Sequence, residues 1–167
     1  MRNPFPGYIA AVIAAVLLAG CAGQPVYEGH PEARTLTPRE VVASPESAHT
    51  RYVEWGGTVL EVSNLADHTE LQVLSYPLNS DGQPDLQASP HGRFLVDRSG
   101  FLDPATYSPG RQLTVYGPIE GIVRGRVGEA GYSYPQVRGE RLQLWPRQDQ
   151  RFTPSNVQFG IGIGIGL

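Results

Sequence analysis

From Tyr52 onward, hydrophobic and polar residues alternate in short runs broken by turn formers, the period-two pattern of half-buried β-strands. "RYVEWGGTVLEVSN" sets Val53, Trp55 and Val59 on one face and Thr58, Leu60 and Val62 partly on the other; Gly56 and Gly57 at the switch predict a bulge or a barrel bend. "TELQVLSYPLN" pairs with it across "SNLADH" as a hairpin, and "GRFLVD" is a third strand with Phe94 and Val96 on one side. "RQLTVYGPIEGIV" puts Leu113, Val115 and Ile119 inward. "ERLQLW" does the same for Leu142 and Leu144. Between these last two, the glycine-rich "RGRVGEAGYSYP" reads as a flexible hairpin and has no strand-to-helix context for cradling phosphate.

Helical patterning is confined to two short places. "TPREVVASP" carries a start signal, with Thr37 as cap, Pro38 at the first helical position and Glu40 placed to reach back to the cap amide; Pro45 limits it to a couple of turns. "FLDPATYSPG" predicts a short helical turn capped by Asp103 and closed by Pro109 and Gly110. Five strands with a short helix between the third and fourth give an all-β class and the order of a small OB-like five-stranded barrel. An irregular two-sheet sandwich is the alternative architecture.

The N-terminus follows another pattern. One basic residue, Arg2, precedes the apolar run "GYIAAVIAAVLLA", which ends in small residues, the layout of an export signal. The run falls short of the about 20 residues needed to span hydrocarbon. Leu18, Ala19, Gly20 and Cys21 resemble the lipobox of bacterial lipoproteins. That resemblance implies a diacylglyceryl group on the Cys21 thiol, cleavage before it and acylation of the new amino terminus. Each buried CH₂ contributes about 0.8 kcal/mol, so several acyl chains hold a protein stably. Ala22 rather than aspartate after the cysteine implies outer-membrane residence. The expected organisation is a signal peptide at 1–20, a tether at 21–36, a β domain at 37–150 and a tail at 151–167.

Charge narrows the partners. Loss of Arg2 with the signal takes the formal charge from -3 to -4, which disfavours nucleic acid. With Cys21 acylated, no thiol is left for a disulfide, so a hydrophobic core must hold the domain together. All 13 basic residues are arginine, and they are unevenly placed: five against twelve acids from Cys21 to Gly110, seven against four from Arg111 onward. The basic half suits lipid phosphates or lipopolysaccharide, or is a solvated strand face.

"VEWGG" (Val53 to Gly57), "YPLN" (Tyr76 to Asn79), "GRF" (Gly92 to Phe94), "FLDP" (Phe101 to Pro104), "VGE" (Val127 to Glu129) and "LW" (Leu144, Trp145) are similar, in this order, to the motifs of the Slp family of starvation-inducible outer-membrane lipoproteins. The resemblance spans roughly Thr37 to Pro146 plus the lipobox. It implies an envelope location and a link to starvation or stress, and it brings no catalytic residues.

Motifs for chemistry are few. The sequence lacks G-x-S-x-G, H-E-x-x-H and Walker patterns. His30, His49, His68 and His91 are scattered among loops, so no metal site is expected. Asp67 with Glu70, and Asp81 with Asp85, are assigned to turns. Trp55, Tyr76, Phe94, Phe101 and Trp145 are a candidate ligand groove, against the reading of aromatics at strand spacing as core. The tail "FGIGIGIGL" puts Ile161, Ile163, Ile165 and Leu167 on one face with only glycine on the other; it suits a lipid surface, a partner's barrel, the domain's own sheet edge or a disordered end.

The expectation is a lipid-anchored, non-enzymatic protein at the periplasmic face of the outer membrane, held through the lipid on Cys21, without cofactor, metal or nucleic acid, and binding or stabilising an envelope protein or ligand. Two other classes remain: a small envelope hydrolase using Glu54, Glu61 or Asp97, which needs two carboxyls facing each other across a groove, and an apolar-ligand carrier, which needs a pocket lined by the aromatics.

Overall fold

The computed structural model describes residues 29–147. Six strands carry the fold: β1 (Tyr52–Asn64), β2 (His68–Tyr76), β3 (Gly92–Ser99), β4 (Gln112–Val127), β5 (Ala130–Arg138) and β6 (Arg141–Leu144). They pair in the order β1-β2-β3-β5-β4-β6, and an additional β1–β4 pairing closes the first five into a ring. All pairings are antiparallel except β3 with β5, where Leu95, Val96 and Asp97 run alongside Gln136, Val137 and Arg138. This is the connectivity of an OB-type barrel.

The alternating inward residues fill the ring. Val53, Trp55, Val59, Leu71, Val73, Phe94, Val96, Leu113, Val115, Ile119 and Val137 form one buried cluster, and Leu142 and Leu144 pack against it from β6. At about 1.5–3 kcal/mol for each large side chain removed from water, this cluster is the main source of stability.

Two features of the strands depart from the sequence reading. The fifth strand of the ring is β5, drawn from the stretch read as a flexible hairpin. It does form a hairpin with β4, turning at Gly128 with φ 59°, but its second arm is built into the barrel and buries Tyr134 and Val137. "ERLQLW" is then β6, an addition alongside β4. The register shift of β1 also falls between Val59 and Glu61, not at the glycine pair. Gly57 is required for another reason: a Cβ there would lie 2.0 Å from the Leu74 carbonyl oxygen of β2.

The two barrel ends are covered differently. Helix α1 (Pro38–Ala43) begins with the expected reciprocal cap, in which Thr37 Oγ1 accepts from the Glu40 N–H and the Glu40 carboxylate accepts from the Thr37 N–H. It delivers Val41 into the core, and α2 (Pro45–Ala48) adds Ala48. At the other end, the Asp103 carbonyl accepts from Thr106 and Tyr107. That turn between β3 and β4 stops after one winding and extends into no helix; Leu102 and Tyr107 pack onto the core from it. Residues 77–91, between β2 and β3, fold back over the outer face of β1 and β4, where Thr114 Oγ1 donates to the Gly82 carbonyl at 2.6 Å.

Candidate functional site

Alternation along β1 points Val53 and Trp55 into the barrel and Glu54 out of it, yet Glu54 is only 1% exposed. What covers it is the N-terminal segment. His30 and the 3₁₀ turn Pro31–Arg34 lie across the outside of β1, with Ala33 buried beneath. The last stretch of the segment read as a tether is therefore docked on the domain. Arg34 Nε donates to Glu54 Oε2 at 2.6 Å, and the His30 backbone N–H donates to the same oxygen at 3.0 Å. Arg34 Nη1 also donates to the Asn79 carbonyl at 3.1 Å, linking the segment to the loop between β2 and β3. The His30 ring stacks on Tyr116 with centroids 4.1 Å apart, and the Arg141 guanidinium contacts both rings.

Burial pushes the Glu54 carboxyl above its usual value, opposed by the His30 N–H and by the Arg141 charge. Its Oε1 has no hydrogen-bond partner among the described residues. Beside it lies a recess of about 200 Å³ lined by Arg34, Leu36, Glu54, Trp55, Tyr76 and His91, among others. The Trp55 indole N–H donates to the Leu36 carbonyl at 2.6 Å, so the docked segment also ties down the core.

The five candidate aromatics are not one groove. Trp55 and Phe94 are core, packed edge to face with centroids 5.2 Å apart. Tyr76 borders the recess at Glu54. Phe101 is 73% exposed near the opposite barrel end. Trp145 donates from its indole N–H to Thr114 Oγ1 and borders a different recess. The reason is parity: Trp55 and Phe94 share the inward face, whereas the others sit on loops and strand ends.

The acids are separated as well. Glu61 is exposed and seven residues along β1 from Glu54, about 23 Å at strand rise. Asp97 lies on β3 near His68, whose Nε2 is 3.9 Å from Asp97 Oδ2 and whose Nδ1 donates to Asp67 Oδ1 at 2.7 Å. Those carboxylates, Asp67 first, raise the His68 pKa above its usual value. Glu70, placed on β2 and not in a turn, is pushed up by burial and by Asp97 and Glu61. Asp81 and Asp85 do lie in turns. Among the described residues, no three His, Cys, Asp or Glu side chains gather as metal ligands, and no helix is long and apolar enough to cross a membrane.

Sequence comparison turns this geometry into a relationship. The family model "Outer membrane lipoprotein Slp family" matches residues 18–160. The chain belongs to the Slp family. It is 31% identical over 158 residues to the uncharacterized lipoprotein YeaY of Escherichia coli, covering 92% of this chain and 79% of that one. It is 33% identical over 109 residues to the outer membrane protein Slp of the same organism, and 32% identical over 108 residues to an uncharacterized protein of Haemophilus influenzae. Those two matches cover 65% and 64% of this chain and span 57% and 58% of the relatives. The Slp-family match starts at Leu18 and runs through Arg34, Glu54 and Trp145, so it takes in the docked segment as well as the barrel. Membership places the protein among lipoproteins of the bacterial outer membrane.

Among solved structures, the chain is similar to the N-terminal domain of the PriB protein from Thermoanaerobacter tencongensis (12% identical, covering 57% of this chain and 97% of that one). It is also similar to a small single-stranded DNA-binding protein from Streptomyces coelicolor (8% identical, 57% and 94%). Both score TM 0.34, and neither likeness bears on what this Slp-family protein binds. Cys21, the rest of the lipobox and the isoleucine-rich tail lie outside the described residues.

Sequence reading missed Arg34. Its partner, Glu54, stands 20 positions away, and neither has a local pattern that announces the other.

Proposed function

We propose that this Slp-family protein is anchored by lipid on Cys21, after removal of 1–20, at the periplasmic face of the outer membrane. There its barrel holds or binds an envelope component without catalysing a reaction, in the service of starvation or stress survival. The observation that carries this reading is the docking of the chain onto β1 from His30 onward. Only eight residues then separate Cys21 from His30, a reach of about 30 Å when fully extended. A domain on so short a lead works at the membrane surface, within a headgroup layer or against a membrane-bound partner.

A binding role fits the chemistry better than hydrolysis. Glu54 is shielded and paired with Arg34, while Glu61 and Asp97 stand on the outer surface, so the three acids do not make the facing pair that glycoside hydrolysis uses. The recess at Trp55, about 200 Å³, is below the 300–1,000 Å³ usual for drug-sized ligands and does not suit an apolar carrier. The mildly acidic charge disfavours nucleic acid.

The test is the mass of the mature chain taken from envelopes. A chain beginning at Cys21 and carrying a diacylglyceryl group and an amide-linked acyl chain is expected, and Cys21→Ser leaves an uncut, unacylated precursor. A mature chain starting at residue 21 with no lipid mass overturns the anchor.

A further inference from the structure

Four large hydrophobic side chains stand open to solvent among the described residues, and they gather at the two ends of the barrel. Leu65, 54% exposed, follows β1, and Phe101, 73% exposed, follows β3. Their loops share one end and are stitched together. The Gly100 N–H donates to the Asp67 carbonyl at 3.0 Å, the Leu102 N–H to Thr69 Oγ1 at 3.0 Å, and Asn64 Nδ2 to the Leu102 carbonyl at 3.1 Å. Phe101 is therefore fixed through both of its neighbours while its ring stays in solvent. Two exposed carboxylates flank the pair: Asp67, which also accepts from His68, and Asp103.

Val42 and Tyr52 lie at the other end; β1, 13 residues long, separates Tyr52 from Leu65 by about 40 Å at strand rise. Val42 borders a recess of about 460 Å³ between helices α1 and α2 and the β4–β5 hairpin. Pro45 and Ile122 extend its apolar wall, Arg124 and Glu46 are charged members of it, and His49 joins it to the recess beside Tyr52. Arg124 and Arg126 share one face of the hairpin, opposite the small residues Ser133 and Gly131, and both are exposed. A bond from Arg126 Nη2 to the Glu129 carbonyl at 3.0 Å steadies the second guanidinium.

We infer that these two ends are a knob and a socket, and that the Leu65 and Phe101 end of one copy of this chain docks in the Val42 and Ile122 recess of the next. Apolar surface leaves water on both sides of the contact, and Asp67 and Asp103 come to face Arg124 and Arg126. Because knob and socket are different surfaces at opposite ends, the contact is head-to-tail and leaves one of each free on every assembly. Two side chains bury less area than a stable complex needs, so the contact belongs to the weak, transient class. Many copies tethered to one surface have a high local concentration, at which such a contact is sufficient. The inference goes beyond the lipid on Cys21: that anchor strengthens the contact and does not form it.

The test replaces Phe101 by photoreactive benzoylphenylalanine in the full chain, irradiates intact envelopes and maps the linked product by peptide mass spectrometry. The expected product has twice the mass of the chain and joins position 101 of one copy to residues 42–49 or 121–124 of another. Its yield is expected to fall about tenfold in Arg124→Glu and in Leu65→Ser, a loss of about 1.4 kcal/mol for each. Both residues are exposed, so each change leaves the buried cluster intact and the two ends are tested separately. The mass of the unlinked chain from the same sample reports the lipid on Cys21 independently. Linkage to another protein, to lipid alone or between two positions 101 overturns the inference, as does the absence of any product or an equal yield in all three chains.

Discussion

Arg34 Nε and Glu54 Oε2 meet at 2.6 Å on the outside of a β-barrel, joining a 3₁₀ turn to the first strand across 20 residues of sequence. The Glu54 side chain is fully shielded and that of Arg34 about one-fifth exposed, so the pair works as a fastening between the docked segment and the barrel.

Removing Arg34 leaves a shielded carboxyl without its cation. Arg34→Ala is expected to lower stability by about 3 kcal/mol at neutral pH, the low end for a broken buried pair because the arginine is partly wet. Burial already raises the Glu54 pKa above 4.5. A raised folded value favours folding below the unfolded pKa and loses that contribution as pH rises through the folded pKa. The Arg34→Ala loss is therefore expected to shrink toward about pH 5. Urea denaturation at both pH values checks it; a loss independent of pH refutes the assignment.

Glycine at position 57 is a matter of clearance. Gly57→Ala places a methyl group 2.0 Å from the Leu74 carbonyl oxygen, so β1 and β2 must separate. A loss of about 2 kcal/mol or more is expected. Gly131→Ala meets nothing within 4 Å and serves as the near-neutral comparison in the same melting experiment.

His68 gives the fold a pH-dependent contribution. Asp67 and Asp97 raise its pKa above 6.5, so the stabilisation from its protonated ring is complete below 6.5 and is lost as pH rises through the raised value. Thermal melts from pH 6.5 to about pH 8 are expected to fall for wild type and to flatten in His68→Gln over that window. Parallel curves for the two proteins count against it.

The tail is expected to be dispensable for residence in the membrane. A chain ending at Arg151 is expected to stay with the outer membrane on fractionation, because the lipid proposed on Cys21 would suffice. Its release into the soluble fraction would show that "FGIGIGIGL" is an anchor in its own right.

Much of the barrel was legible because its strands obey simple parity. Val53, Trp55, Val59, Phe94, Val96, Leu113, Val115 and Ile119 all face inward as the alternation requires. The Thr37, Pro38 and Glu40 cap was equally plain, since its donors and acceptors sit three residues apart. β5 was hidden: Gly131 and Pro135 interrupt the pattern, and only Tyr134 and Val137 are large apolar side chains fully buried there. Tertiary pairing with β4 and β3 makes that segment a strand where local propensity does not. The site was less legible. Aromaticity marked Phe101, which stands in solvent, and Trp55, which is core, whereas Arg34 owes its setting to Glu54, 20 residues away in sequence.

The closed ring also governs when this domain acquires structure. Tyr52 must find Pro118 to close β1 on β4, and Leu95 must wait for Gln136 before β3 gains its parallel neighbour. Pairings over such sequence separations are slow, because loop entropy is lost before the contacts repay it. A chain interrupted before Ala130 leaves the hydrogen-bonding edge of β3 bare, so the nascent domain has no stable stopping point short of β5.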